Sequence, residues 1–78
     1  MGNKKTLYPN LMAELARQDL TITALAKKMD MTRSNLYYKL NGTYNFTLKD
    51  ITKIQEILRA NDYDGDYSLD YLFTKGGE

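Results

Sequence analysis

Four hydroxyl residues, Thr21, Thr32, Thr47 and Ser68, each stand directly before a stretch whose apolar residues recur three and four positions apart. A hydroxyl oxygen in that place accepts from the unpaired amides of a helix start, and the recurrence gives the helix one face to bury. The chain is therefore punctuated into short helices. Nowhere does it alternate apolar with polar residues for long enough to build a strand. An earlier helix opens at Pro9, which a first turn tolerates, with Leu11, Met12, Leu15 and Ala16 on one face up to about Gln18. Thr21 then opens residues 22–29, with Leu25, Ala26 and Met29 on one side and Lys27 and Lys28 on another. Thr32 opens a helix from Arg33 to about Leu40, closed by Asn41 and Gly42. Thr47 with Asp50 three residues on reads as a capping box for the longest helix, striped by Leu48, Ile51, Ile54, Gln55 and Leu58 and ending near Asn61. Beyond the turn residues of "NDYDGDYS", Ser68 opens a last helical turn anchored by Leu69, Leu72 and Phe73. The expected fold is all-α, a compact domain of five helices.

Length and composition narrow what such a domain can do. Seventy-eight residues suffice for a single domain over 1–78, one that buries only about 60% of its unfolded surface. With no cysteine and no histidine the chain has no disulfide framework, no thiolate cage and none of the usual zinc ligands or general bases. Carboxylates without those partners or a glycine-rich phosphate loop make no catalytic constellation, so neither an enzyme nor a cofactor is expected. The acidic stretch at 62–70 does not fit a calcium loop. Placing Gly65 at the sixth loop position puts Ala60 at the first and Tyr71 at the twelfth, where carboxylates are required, so no metal is expected either. No apolar run approaches the roughly 18 residues of a spanning helix, and the first residues lack the apolar core of a signal peptide; the expectation is a cytoplasmic protein without a membrane partner.

Charge is unevenly placed. The net charge is +1, yet residues 1–44 hold seven Lys and Arg (Lys4, Lys5, Arg17, Lys27, Lys28, Arg33, Lys39) against three acids (Glu14, Asp19, Asp30). The remainder is acidic, so one face can attract phosphates while residues 62–78, an acidic turn and C-terminal helical turn, stay solvated on another. The opening "MGNKKT" matches an acylation pattern at Gly2, but the pattern is short and one acyl chain binds membranes only marginally; residues 1–6 are read as a flexible basic arm.

The informative segment is 22–42, "ITALAKKMDMTRSNLYYKLNG", two short helices across a tight turn. For such helices to cross closely, the first needs a small side chain at the contact, which Ala26 supplies, with Leu36 placed to pack beneath it. Asp30 is among the few non-glycine residues that tolerate a left-handed turn. With Leu25, Met29 and Met31 at apolar positions, Thr32 opening the second helix, "KLNG" closing it and "FTLKDITKI" following at 46–54, residues 11–60 resemble the Cro and phage-repressor type of helix-turn-helix protein. Three positions depart from the usual pattern of that family. Asp30 stands where glycine is usual, Ile22 where glutamine often contacts a phosphate, and Lys39 where the residue is usually apolar.

The resemblance implies a lambda-repressor-like fold and a DNA-binding regulator of a phage or prophage, acting in the bacterial cytoplasm on an inverted-repeat operator. Its second motif helix would enter the major groove, giving base-reading roles to Arg33, Ser34 and Tyr38, with Tyr37 flanking them. Thr21, Thr23, Lys27, Thr32, Asn35, Thr43, Tyr44 and Asn45 would hold the sugar-phosphate backbone. Ile57 lies off the apolar stripe of its helix, and with Tyr71, Leu72 and Phe73 it is the candidate contact of a homodimer, intramolecular packing being the alternative. A competing reading keeps the fold but makes the chain a protein-interaction module, an antirepressor or antitoxin that binds another regulator. Ile22 and the weak net charge favour that reading.

Overall fold

Each of the four hydroxyls closes a helix start. In the computed structural model, which describes residues 6–62, 65 and 67–76, the Thr21 hydroxyl oxygen accepts from the Ala24 amide at 3.0 Å and Thr32 from Asn35 at 3.1 Å. Thr47 accepts from Asp50 at 3.1 Å and Ser68 from Tyr71 at 3.3 Å. The Asp50 carboxylate accepts in return from the Thr47 amide at 3.0 Å, completing the capping box. Substituting such a cap by alanine typically costs about 1 kcal/mol, a large share of what a domain this small can hold. The basic arm expected at 1–6 lies outside the described residues apart from Thr6, as do Tyr63, Asp64 and Asp66 of the acidic turn.

The described residues form five helices and no strand: α1 (Pro9–Arg17), α2 (Ile22–Lys28), α3 (Arg33–Leu40), α4 (Leu48–Asn61) and α5 (Leu69–Leu72). The domain is all-α. Alpha-2 packs on α3, and α5 closes against both α1 and α4. One cluster is shared by all of them, with Leu11, Leu25, Leu36, Leu40, Ile54, Leu58 and Leu72 fully buried. Tyr8, Phe46 and Phe73 seal one side of it, their ring centroids 5.5 to 5.6 Å apart edge to face.

Two expected faces are rotated. On α1, Ala16 is exposed and Glu14 is buried instead, because Glu14 finds polar partners inside. On α4, Leu48 is 72% exposed and Ile51 stands outside the core cluster; the helix meets the core at Ile54 and Leu58, with Ile57 packed against them. Left-handed backbone occurs at Asp30 (φ 60°), as its place in the turn predicts, and at Gly42 (φ 90°). Asp19 (φ 58°) makes a second such turn, between α1 and α2, where the Leu20 amide folds back on the Leu15 carbonyl at 2.8 Å.

Polar side chains tie α1, α4 and α5 together. The buried Glu14 carboxylate accepts from the Tyr71 hydroxyl at 2.7 Å and from Arg17 at 2.6 Å, and Asn10 donates to the Tyr71 carbonyl at 2.8 Å. Tyr67, a turn residue by sequence, is a core residue at 1% exposure. Its hydroxyl donates to Asp62 at 2.8 Å and accepts from Gln18 at 2.9 Å, while Gln18 also donates to the Leu58 carbonyl and Gln55 to the carbonyl of Tyr67. Burial, reinforced by the Asp62 carboxylate, raises the Tyr67 hydroxyl above its usual pKa of 10.0.

Candidate nucleic-acid interface

The turn from α2 to α3 occupies residues 29–32. It is tied by backbone bonds from Met29 to Leu25, from Asp30 to Lys27 and from Met31 to Ala26, at 3.0 to 3.1 Å. Ala26, 2% exposed, and Leu36, fully buried, occupy the seam between the helices, so a small residue on α2 lets α3 approach. Because Leu36 and Leu40 point into the core, the helical period turns Ser34, Asn35 and Tyr38 outward and sets Tyr37 on the flank, while Arg33, three residues before Leu36, is exposed because it opens the helix. Arg33, Ser34 and Asn35 are exposed, Tyr38 is 41% exposed and Tyr37 is half-buried. Among the described residues the side chains of Arg33, Ser34 and Asn35 form no hydrogen bond or ion pair. The surface therefore offers a guanidinium fork, a hydroxyl, an amide and an aromatic ring, and no carboxylate on the helix itself.

The flanking residues divide into those that are available and those already engaged. Thr23, Lys27 and Asn45 are exposed. Thr21 and Thr32 accept cap bonds through Oγ1 but keep their hydroxyl protons to donate outward. Lys27 is in the last turn of α2, about 9 Å along the axis from Thr21, so the two stand at opposite ends of that helix. Thr43 is exposed but engaged within its own loop. Its amide and its hydroxyl both donate to Asn41 Oδ1, at 2.9 and 2.7 Å, which spends its donors inside the loop. Tyr44 is turned back as well. Its amide donates to the Tyr38 carbonyl at 3.0 Å and its ring stands 5.5 Å from that of Tyr38, so its exposed ring extends the face of α3.

Two supports of α3 are missing from the sequence reading. The Lys39 ammonium, at a position usually apolar in the family that the segment resembles, donates to the Asp50 carboxylate and joins the end of α3 to the start of α4. Burial acts to raise the Asp50 pKa. The Lys39 and Thr47 hydrogen bonds outweigh it and hold the carboxyl below its usual 3.8. The clue was present in the pairing of an odd Lys39 with a capping acid eleven residues on. The second support is the Leu7 amide, which donates to the Leu40 carbonyl at 2.8 Å, while the Gly76 amide donates to the Leu7 carbonyl at 2.8 Å. Both chain ends thus brace the C-terminus of α3.

Of the residues expected at a dimer contact, Leu72 is corrected: it is fully buried in the chain's own core and presents nothing to a second copy. The single turn of α5 spends its most apolar residue on closing the monomer. Ile57, Tyr71 and Phe73 are half-buried against the same core. Ile22 is half-buried too, so the start of α2 has an apolar packing residue where a polar side chain would face a phosphate. No family model, no curated protein and no solved structure matches this chain.

Proposed function

We propose that this chain is a sequence-specific DNA-binding regulator of transcription, of the small phage-switch kind, with α3 entering the major groove. The observation that carries the reading is the exposed start and outward side of α3, where Arg33, Ser34 and Asn35 remain unbonded on a helix capped by Thr32 and braced at its C-terminus by Asp50 and Leu7. Arg33 pairs with a guanine edge, and Ser34 and Tyr38 meet neighbouring bases. Thr21, Thr32, Thr23, Asn45 and Lys27 hold phosphates and set the register. A homodimer, covering the residual exposed surface of Ile57, Tyr71 and Phe73, reads two half-sites about 34 Å apart. Occupying a promoter then represses it.

Selection from a random duplex library at near-physiological salt tests this reading. The expected result is an enriched inverted repeat with half-sites one helical turn apart, bound more weakly as salt rises. No enriched sequence at any practical concentration would contradict it. That outcome would favour a second reading, docking on another regulator, for which one observation speaks: Leu48 is exposed beside Met29 in an open groove between α2 and α4, rimmed by Lys28, Lys49 and Lys53 and equally by Asp30, Asp50 and Glu56.

A further inference from the structure

Two tyrosines stand out of the core together. Tyr38 on α3 is 41% exposed and Tyr44 in the following loop is 48% exposed, with ring centroids 5.5 Å apart at 68°, edge to face. Tyr37 continues the row at 6.1 Å from Tyr38. The loop that presents Tyr44 is held by local bonds: Gly42 takes the left-handed turn, Asn41 Oδ1 accepts from Thr43 twice, and the Tyr44 amide donates to the Tyr38 carbonyl. The rings are thus preformed as an apolar surface one helical turn from Ser34. Tyrosine has few rotors, so presenting the pair to a ligand costs little ordering entropy.

We propose that the Tyr38 and Tyr44 rings form a thymine-reading element, closing over the C5-methyl group of an operator thymine. The inference rests on the DNA-binding reading and deepens it by naming a base. In the major groove thymine alone presents an apolar group, so a rigid apolar pair discriminates by removing that methyl from water. Tyr38 stands one turn beyond Ser34 on the same side of α3, which places the thymine next to the base that Ser34 meets. Tyr44 acts by contact and by packing Tyr38 in place. Its role is base discrimination rather than phosphate positioning.

Replacing thymine by deoxyuridine deletes only the methyl and gives a direct test. Duplexes enriched by the wild-type chain are resynthesised with uracil at each thymine in turn, and affinities are compared for wild type, Tyr38→Ala, Tyr44→Ala and Tyr38→Phe. The expected result is a loss of about four-fold at one thymine per half-site for wild type and Tyr38→Phe, shrinking toward none in both alanine variants. Tyr44→Ala lies outside every helix and keeps the test open if Tyr38→Ala loosens α3. Enriched duplexes with no uracil penalty overturn the proposal and leave DNA binding intact. A penalty of equal size in both alanine variants does the same. No enriched duplex for wild type overturns the DNA reading itself, and the proposal with it.

Discussion

Between α1, α4 and α5 the polar side chains Asn10, Glu14, Gln18, Gln55, Asp62, Tyr67 and Tyr71 bond to one another or to carbonyls, over separations of up to 61 residues. On the outward side of α3, Arg33, Ser34 and Asn35 keep their side chains free of such bonds among the described residues. A buried polar group left unpaired is costly, so the first set is spent on holding the fold. An exposed donor is already satisfied by water and stabilises nothing, so it is open to a ligand. The contrast separates structural from functional polarity by where the bonds go, and it makes opposite demands on mutants of the two regions.

The largest effect should come where the two regions share one core. Leu36→Ala removes a fully buried side chain under α3 and is expected to cost about 2–5 kcal/mol, read from urea midpoints. A loss below about 1 kcal/mol would mean that α3 is not supported by the common cluster. Arg33→Ala should do the reverse. Its effect on stability should stay within about 0.5 kcal/mol, while about 1–3 kcal/mol of preference for the enriched duplex over a scrambled one is lost, measured by competition binding. Equal weakening on every sequence would instead make Arg33 a phosphate contact.

Tyr67→Phe sharpens the other side of the comparison. It deletes one hydroxyl that serves both Asp62 and Gln18, and is expected to cost about 1–2 kcal/mol of stability with DNA affinity unchanged. A change in affinity larger than that in stability would break the separation of the two regions. The smallest effect concerns the bond between α3 and α4. Because the Asp50 pKa is held below 3.8, its stabilisation is fully present above 3.8 and lost as pH falls through the lower folded value. Asp50→Asn should flatten that acid limb of the stability curve, and an unchanged limb would assign it to other carboxylates.

The legibility of the sequence differs between the same two regions. Local chemistry was readable: Thr21, Thr32, Thr47 and Ser68 each needed only the residues that follow to be recognised as caps, and Asp30 needed only its turn. The outward face of α3 was readable too, because Leu36 and Leu40 fix its rotation by period alone. What depends on distant partners was not. The bond from Tyr71 to Glu14 joins groups 57 residues apart, and without it Glu14 reads as a solvent residue and Ala16 as core. Tyr67 among aspartates has turn composition, yet Gln18, Gln55 and Asp62 draw it inside. The Asn41 bonds of Thr43 needed only the residue two positions before it, yet a side-chain acceptor so near is not distinguished by sequence from one facing solvent.

The most direct measurement is an amide and side-chain NMR titration of the labelled protein with an enriched duplex at near-physiological salt. The account predicts shifts centred on Arg33, Ser34, Asn35, Tyr38 and Asn45, with Gln18, Gln55 and Asn10 left unmoved. Shifts centred on the groups between α1, α4 and α5, with the outward face of α3 silent, would contradict it.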